Sequence, residues 1–169
     1  MKSVGEVMSI GRTFAESLQK AYRSMETGLT GLNEVTIPGA HTGKGVDEDA
    51  VFAALGQPTP ERLLNIAQAF RLGISADDIQ RVTHFDPWFL GQISAIVQAE
   101  THVRETGLPD NFDSLMRLKR MGFSDERLAE LSDKTEADVA ALRDKLDLHP
   151  VFKRIDTCAA EFPSLTPYM

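Results

Sequence analysis

Cysteine, positive charge and long apolar runs are all scarce in this sequence, and each shortage excludes a class of protein. With one cysteine, Cys158, in 169 residues, no disulfide can form within the chain, and we expect a reducing, cytoplasmic location. Lys and Arg number 18 against 25 Asp and Glu, a net charge of −7, which argues against nucleic acid or an anionic membrane as partner. The longest apolar run, Ala50 to Leu55, has six residues, whereas a membrane-spanning helix needs about 20.

Groupings of residues that could carry catalysis or bind a metal are equally scarce. The four histidines are 43, 18 and 47 residues apart, with no i, i+4 pair and no C-x-x-C motif, so no metal site is expected: His41, His84, His102 and His149. Cys158 would need a distant base to act as a nucleophile, and a small buried residue is the favoured alternative. The sequence therefore predicts no catalytic, cofactor-binding or metal-binding residue.

One glycine-rich segment, Gly39-Ala40-His41-Thr42-Gly43-Lys44-Gly45, has some of the residues of a phosphate-binding loop. A Walker loop has four residues between its glycines and a Ser or Thr after its lysine. Here three residues separate Gly39 from Gly43, and Gly45 follows Lys44. We therefore interpret the segment as a flexible loop.

Helix start and stop signals are frequent and predict an all-α fold of about seven or eight helices, with extended segments at both ends. Thr13 and Glu16 have the spacing of a capping box, and Gly28 offers a left-handed stop. Residues 28–46 are expected to form a loop, after which Asp47 opens a short helix through Leu55. Thr59, followed by proline, predicts the start of a further helix that ends at Gly73.

The sequence also repeats itself at a spacing of 49 residues. Gly73-Ile74-Ser75 aligns without gaps on Gly122-Phe123-Ser124, where each serine is predicted to cap a short helix, and the predicted cap Asp86 aligns on Thr135. Apolar positions align in the same register, as in the pairs Ile66 and Leu115, Ile79 and Leu128, Leu90 and Val139, and Ile93 and Leu142. Agreement of caps and apolar positions together indicates an internal duplication of a three-helix unit.

Several patterns suggest binding surfaces. Arg117, Lys119 and Arg120 precede a helical hairpin that resembles a DNA-binding helix-turn-helix, but the second helix begins with Glu136 and Asp138, where phosphates would lie. The turn Met121-Gly122-Phe123 is similar to that of ubiquitin-binding three-helix modules. Trp88 and Phe89, by contrast, are interpreted as core aromatic residues and not as a binding surface.

The short helix after Asp47 carries the candidate surface for self-association. Val51, Phe52 and Leu55 form an apolar patch at i, i+1 and i+4 on a helix between a glycine-rich loop and Pro58. Such a helix has few positions from which to join the main core, so a self-association surface and plain burial are equally supported.

Both ends of the chain resemble parts of a known family. Residues 1–13, from Met1-Lys2-Ser3-Val4-Gly5-Glu6 to Ile10-Gly11-Arg12-Thr13, resemble the exit from the first ATP-grasp unit of the carbamoyl phosphate synthetase large subunit. Residues 149–162, His149-Pro150-Val151-Phe152 through Glu161-Phe162, resemble the lead-in to its second unit. The stretches Asp86 to Leu90 and Leu118 to Phe123 also have similar counterparts there, so the resemblance covers nearly the whole chain.

The resemblance implies a division of the chain and a role for it. Residues 1–12 would be a strip of the first ATP-grasp unit, residues 13–150 the all-helical oligomerisation or connection domain, and residues 151–169 a strip of the second unit. The domain would join the two synthetase halves and contribute to self-association, without catalysis of its own.

The parent of that family is an ATP-dependent, glutamine-hydrolysing ligase serving arginine and pyrimidine synthesis. It uses ATP and magnesium or manganese and receives ammonia from a glutaminase small subunit. No residues of this chain correspond to its nucleotide, metal or bicarbonate sites. Outside the parent, residues 1–12 and 151–169 are expected to be poorly ordered or packed in a non-native way. The alternative is a free-standing helical recognition module for protein or, less favoured, DNA.

Overall fold

The computed structural model describes residues 6–43 and 45–151, and in this part of the chain eight α-helices form the fold. The helices are α1 (Phe14–Ser24), α2 (Glu48–Gly56), α3 (Arg62–Arg71), α4 (Ala76–Thr83), α5 (Pro87–Thr106), α6 (Phe112–Arg120), α7 (Asp125–Ser132) and α8 (Glu136–Lys145). Two short strands, β1 (His41–Thr42) and β2 (Gly45–Val46), pair antiparallel within the loop between α1 and α2. The predicted all-α class is confirmed.

Local capping chemistry sets most of the helix starts, as the sequence predicts. The side chains of Thr13, Asp47 and Asp86 each accept a backbone N–H in the first turn of the helix that follows. The prediction for α3 is wrong by a few residues: Arg62 N–H bonds the carbonyl of Thr59, so Thr59 belongs to a turn before the helix. The predicted stop of α1 at Gly28 is also late, because Glu26 already takes a left-handed φ of 53°.

The internal duplication predicted from the sequence is visible in the helix bounds. We call α3–α5 the first repeat and α6–α8 the second repeat. Helices α4 and α7 lie 49 residues apart at both ends, and Ser75 and Ser124 cap them in the same way. The residues that end these two helices, His84 and Asp133, both take left-handed conformations, with φ of 58° and 54°. The two repeats therefore share their backbone conformation here as well as their sequence pattern.

The core lies between the two repeats, with α5 at its centre. This 20-residue helix contacts α3 and α4 of its own repeat, α7 of the other repeat, and α1. Its buried apolar side chains recur on one face: Leu90, Ile93, Ile96, Val97 and Val103. Several pairs aligned by the duplication, such as Ile79 and Leu128, have no exposed surface. One continuous core therefore serves both repeats.

The described part of the leading segment, residues 6–12, forms neither helix nor strand and runs back against α1. The Ser9 hydroxyl donates to the carbonyl of Ser17 at 2.6 Å, and the Lys20 ammonium donates to the carbonyl of Ile10 at 3.2 Å. The expectation of poorly ordered ends concerns residues of which most, 1–5 and 152–169, lie outside the described ranges. Cys158 lies there too.

Candidate interaction surface

The structure buries most of the candidate patch on α2, for which the sequence supported self-association and plain burial equally. Val51 and Leu55 have 0% exposure and belong to the core, and Phe52 is half-buried beneath the Arg81 guanidinium, 5.6 Å from its ring centroid. The helix packs against α3 and α4, which cover its apolar side. Plain burial, the other alternative, describes these side chains, and in this conformation Val51 and Leu55 cannot contact a second molecule.

An exposed aromatic patch lies instead at the start of α5, formed by Phe14, Trp88 and Phe89. The interpretation of Trp88 and Phe89 as core residues is wrong, because they are 56% and 41% exposed. The three rings contact one another edge to face, with centroids 4.9 Å apart for Trp88 and Phe89 and 5.1 Å apart for Phe14 and Phe89. The patch is a rigid apolar surface that remains open to solvent.

The helix start beneath the patch holds the aromatic side chains in place. Asp86 caps α5 by accepting the Trp88 N–H at 2.8 Å, and Pro87 takes the first helical position. Both aromatic residues therefore belong to the first turn, just ahead of Leu90, where the buried face of α5 begins. Phe14 reaches them from the first turn of α1.

A network of ion pairs joins the two repeats through the core. Arg127 of α7 is 2% exposed and donates to Glu100 of α5, itself 1% exposed, at 2.8 Å. Arg71 of α3 contacts the other carboxylate oxygen of Glu100. Arg127 also donates to Glu34 and to Glu130, each at 3.0 Å. Each fully buried charge is thus paired, as the low dielectric of the interior requires.

The network shifts the pKa values of its members in opposite directions. Burial alone raises the pKa of Glu34, but hydrogen bonds and attraction from Arg127, aided by Arg71, hold it below 4.5. Burial lowers the pKa of Arg127, yet its attraction to Glu100 and its hydrogen bonds to the carboxylates raise it overall. Glu34 and Arg127 are therefore both charged near neutral pH.

Sequence reasoning missed this network, although one signal was present. Glu100 occupies a position on the apolar stripe of α5, between Val97 and Val103. A carboxylate at such a position requires a buried cation, but the sequence does not say which one. Arg127 gives no signal at all, because the duplication aligns it with Asp78, which is not buried.

The turn that is similar to ubiquitin-binding modules is covered by the chain itself. The Gln19 amide of α1 donates to the Met121 carbonyl at 2.8 Å. A Cβ added at Gly122 would lie 2.9 Å from the Glu16 Cα, so the backbone of α1 passes directly over the turn. Phe123 is 1% exposed. Only Met121 of the three turn residues keeps partial exposure, so most of the turn is covered by the chain itself.

One member of the basic cluster, Lys119, is held by contacts within the fold. Lys119 donates to the Asp125 carboxylate at 2.8 Å and to the Phe123 carbonyl at 2.7 Å, while Arg117 and Arg120 are exposed. The start of α8 is closed by a capping box between Thr135 and Asp138. The acidic start and the paired lysine both disfavour a helix-turn-helix contact with DNA.

The glycine-rich segment leads into an acidic helix start. Beyond the glycines, Asp47 caps α2 and Glu48 and Asp49 fill its first turn, so the helix start repels a phosphate. His41, His84, His102 and His149 are all exposed. No group of three metal-ligating side chains occurs in residues 6–43 and 45–151. Within the same ranges, no helix is both long and apolar enough to cross a bilayer.

Comparison with known proteins places this helical body in a family. Residues 6–147 match the family model described as the oligomerisation domain of the carbamoyl-phosphate synthetase large chain. The carbamoyl phosphate synthase large chains of Brucella melitensis and Rhizobium meliloti are 58% and 57% identical over 169 residues. The Neisseria meningitidis serogroup A large chain is 46% identical over 170 residues. Each of these alignments covers 100% of this chain but only 14% or 15% of the relative. The chain belongs to the family of carbamoyl-phosphate synthetase large-chain oligomerisation domains.

Proposed function

We propose that this chain is a non-catalytic helical connector, which holds the two synthetase halves of a carbamoyl phosphate synthetase large chain and contributes to its self-association. The observation that carries the proposal is the family match over residues 6–147, with relatives about seven times longer than this chain. The shared core and the buried ion pairs support it, because a connector must keep its shape under load from its neighbours.

The division of the chain follows the same proposal. Residues 13–150 form the connecting domain, residues 1–12 the end of one ATP-grasp unit, and residues 151–169 the beginning of the next. The chemistry belongs to the neighbouring units of the parent: phosphorylation of bicarbonate, reaction with ammonia from a glutaminase subunit, and phosphorylation of carbamate. ATP and its metal would bind in those units, since the acidic start of α2 does not fit a phosphate.

Sedimentation velocity over a wide concentration range tests the self-association part. We expect this chain to form dimers or larger species as its concentration rises, and a chain that stays monomeric at millimolar concentration would contradict self-association through this domain alone. A substitution of Leu55 would not report on an interface between molecules, because Leu55 is fully buried.

The connecting part is tested in the complete large chain. Replacing residues 13–150 with a flexible linker should leave each half able to hydrolyse ATP while carbamoyl phosphate formation is lost. An unchanged rate of carbamoyl phosphate formation would contradict the connecting role. In that case a free-standing recognition module becomes the better description.

A further inference from the structure

We propose that the aromatic patch of Phe14, Trp88 and Phe89 is the surface on which an adjoining unit of the same large chain docks. This inference rests on the proposed function, since it assigns a contact to the connector. It goes further by naming the side chains that make the contact and by stating that the docking surface of the adjoining unit is apolar.

The duplication shows that the patch is not needed to start a helix at this place. Trp88 and Phe89 align with Ala137 and Asp138 of the second repeat, which are exposed at the start of α8. Both helix starts are capped, by Asp86 in one repeat and by Thr135 in the other. The same helix start therefore forms with small and acidic residues, so the aromatic side chains of the first repeat are not required to begin α5.

The area of the patch decides between the two kinds of occupant. Aromatic side chains present about 150–250 Å² each, so at the exposures of Trp88 and Phe89, with part of Phe14, the patch offers roughly 200–300 Å². A stable complex of two separate proteins needs about 500 Å² or more from each partner. The patch is too small to hold two independent molecules together without help.

A tethered neighbour has no such requirement. Two units on one polypeptide meet at an effective concentration of about a millimolar, so a small apolar contact suffices to dock them. The relatives place this chain within a polypeptide of which it is only 14%, so such neighbours exist in the complete protein.

Photo-crosslinking in the complete large chain tests the assignment. p-Benzoylphenylalanine is introduced in place of Trp88 and, as a matched control, in place of Ala137, the equivalent position of the second repeat. Chains grown with light and heavy nitrogen are mixed before irradiation, and crosslinked peptides are identified by mass spectrometry. Peptides of one isotope report contacts within a chain, and mixed peptides report contacts between chains.

We expect the probe at position 88 to crosslink to an apolar segment outside residues 1–169, within one chain and independently of protein concentration. The crosslink should be lost with the probe at position 137. Mixed-isotope peptides would overturn the assignment in favour of a second molecule. Crosslinks confined to residues 1–169, or none above the control, would overturn docking altogether.

A double variant provides an independent readout. Trp88→Ala with Phe89→Asp installs the residues of the second repeat, so folding of the domain should be retained. In the complete large chain, amide exchange in the segment crosslinked from position 88 should become faster, while exchange in α3 and α7 stays unchanged. Unchanged exchange in that segment would contradict docking. Self-association in sedimentation velocity without any crosslink would leave the proposed function intact and remove only this inference.

Discussion

The two repeats share a backbone and differ in what they contact. The turns at Gly73 and Gly122 have similar left-handed φ, 85° and 95°, yet the first has open space around it and the second lies under α1. The start of α5 carries exposed aromatic residues, whereas the start of α8 is acidic. The positions that agree build the three-helix unit, and the positions that differ decide which neighbour each unit meets.

Loss of the buried ion-pair network should give the largest decrease in the free energy of unfolding. Arg127→Met leaves the carboxylate of Glu100 in the core with one partner fewer, so we expect the free energy of unfolding to fall by about 3–5 kcal/mol. Urea denaturation followed by circular dichroism measures it. Arg104→Met is the control, because this exposed partner of Glu34 should cost about 1 kcal/mol or less. Equal losses of unfolding free energy for the two variants would show that the buried network contributes no more stability than an exposed ion pair.

The burial of α2 on the first repeat comes next in size. Leu55→Ala leaves a cavity in a fully packed site, which we expect to cost about 2–5 kcal/mol in unfolding free energy. Ala53→Ser, on the exposed side of the same helix, should change it by about 0.5 kcal/mol or less. If Leu55→Ala were as stable as the parent and remained monomeric where the parent associates, α2 would be an interface after all.

The two turn glycines offer a direct comparison between the repeats. Gly73→Ala should cost about 1–2 kcal/mol from left-handed strain alone, because nothing lies within 4 Å of the added Cβ. Gly122→Ala carries the same strain and also pushes against Glu16, which adds about 1–3 kcal/mol. Amide exchange in α1 should increase only in the second variant. Equal unfolding free energies for Gly73→Ala and Gly122→Ala would mean that α1 does not pack closely over the turn at Gly122.

Acid should weaken the contacts of the second repeat through carboxylates that are protonated less readily in the folded chain. Arg127 holds the pKa of Glu34 below 4.5 against the opposing effect of burial, and Lys119 and Arg143 hold that of Asp125 below 3.8 against the same effect. A depressed folded-state pKa gives stability that is present above the unfolded pKa and is lost as pH falls through the folded one. We therefore expect the free energy of unfolding to decrease as the pH drops below about 4.5.

Urea titrations at several pH values measure this dependence, with Glu34→Gln as the matched variant. The amide cannot take up a proton, so the variant should be less stable at neutral pH and lose less on acidification. A variant whose acid dependence equals that of the parent would show that Glu34 contributes nothing to it.

The aromatic patch should show the smallest effect on the domain by itself. Trp88→Ala with Phe89→Asp removes edge-to-face contacts between exposed rings, for which we expect about 1–2 kcal/mol or less in unfolding free energy. Thermal unfolding of this chain alone measures it. A loss as large as that of Leu55→Ala would indicate that the rings support the core rather than present a surface.

Local signals in the sequence predict the helices and the duplication because capping and glycine stops act within a few residues. Ser75 and Ser124 illustrate this, since each caps its helix as expected. Thr59 misleads because the same hydroxyl residue before a proline also suits a turn, which is where the structure puts it.

Long-range pairing explains what the sequence did not reveal. The partner of Glu100 lies 27 residues away, on a helix whose periodicity gives no hint of a buried arginine. The covering of Gly122 by α1 depends on residues about a hundred positions apart. Periodicity also predicts that an aromatic residue beside an apolar stripe is buried, whereas Trp88 and Phe89 are exposed.

The buried charges also limit how this sequence can change over time. Replacing Arg127, Glu100 or Arg71 singly strands a charge in the core, whereas replacing the whole set with apolar residues of similar volume is tolerated in proteins generally. Substitutions at these positions must therefore occur together, and a relative should carry either the charged set or an apolar one. Since the set draws on both repeats, each repeat constrains the other, and the two halves of the duplication are no longer interchangeable parts.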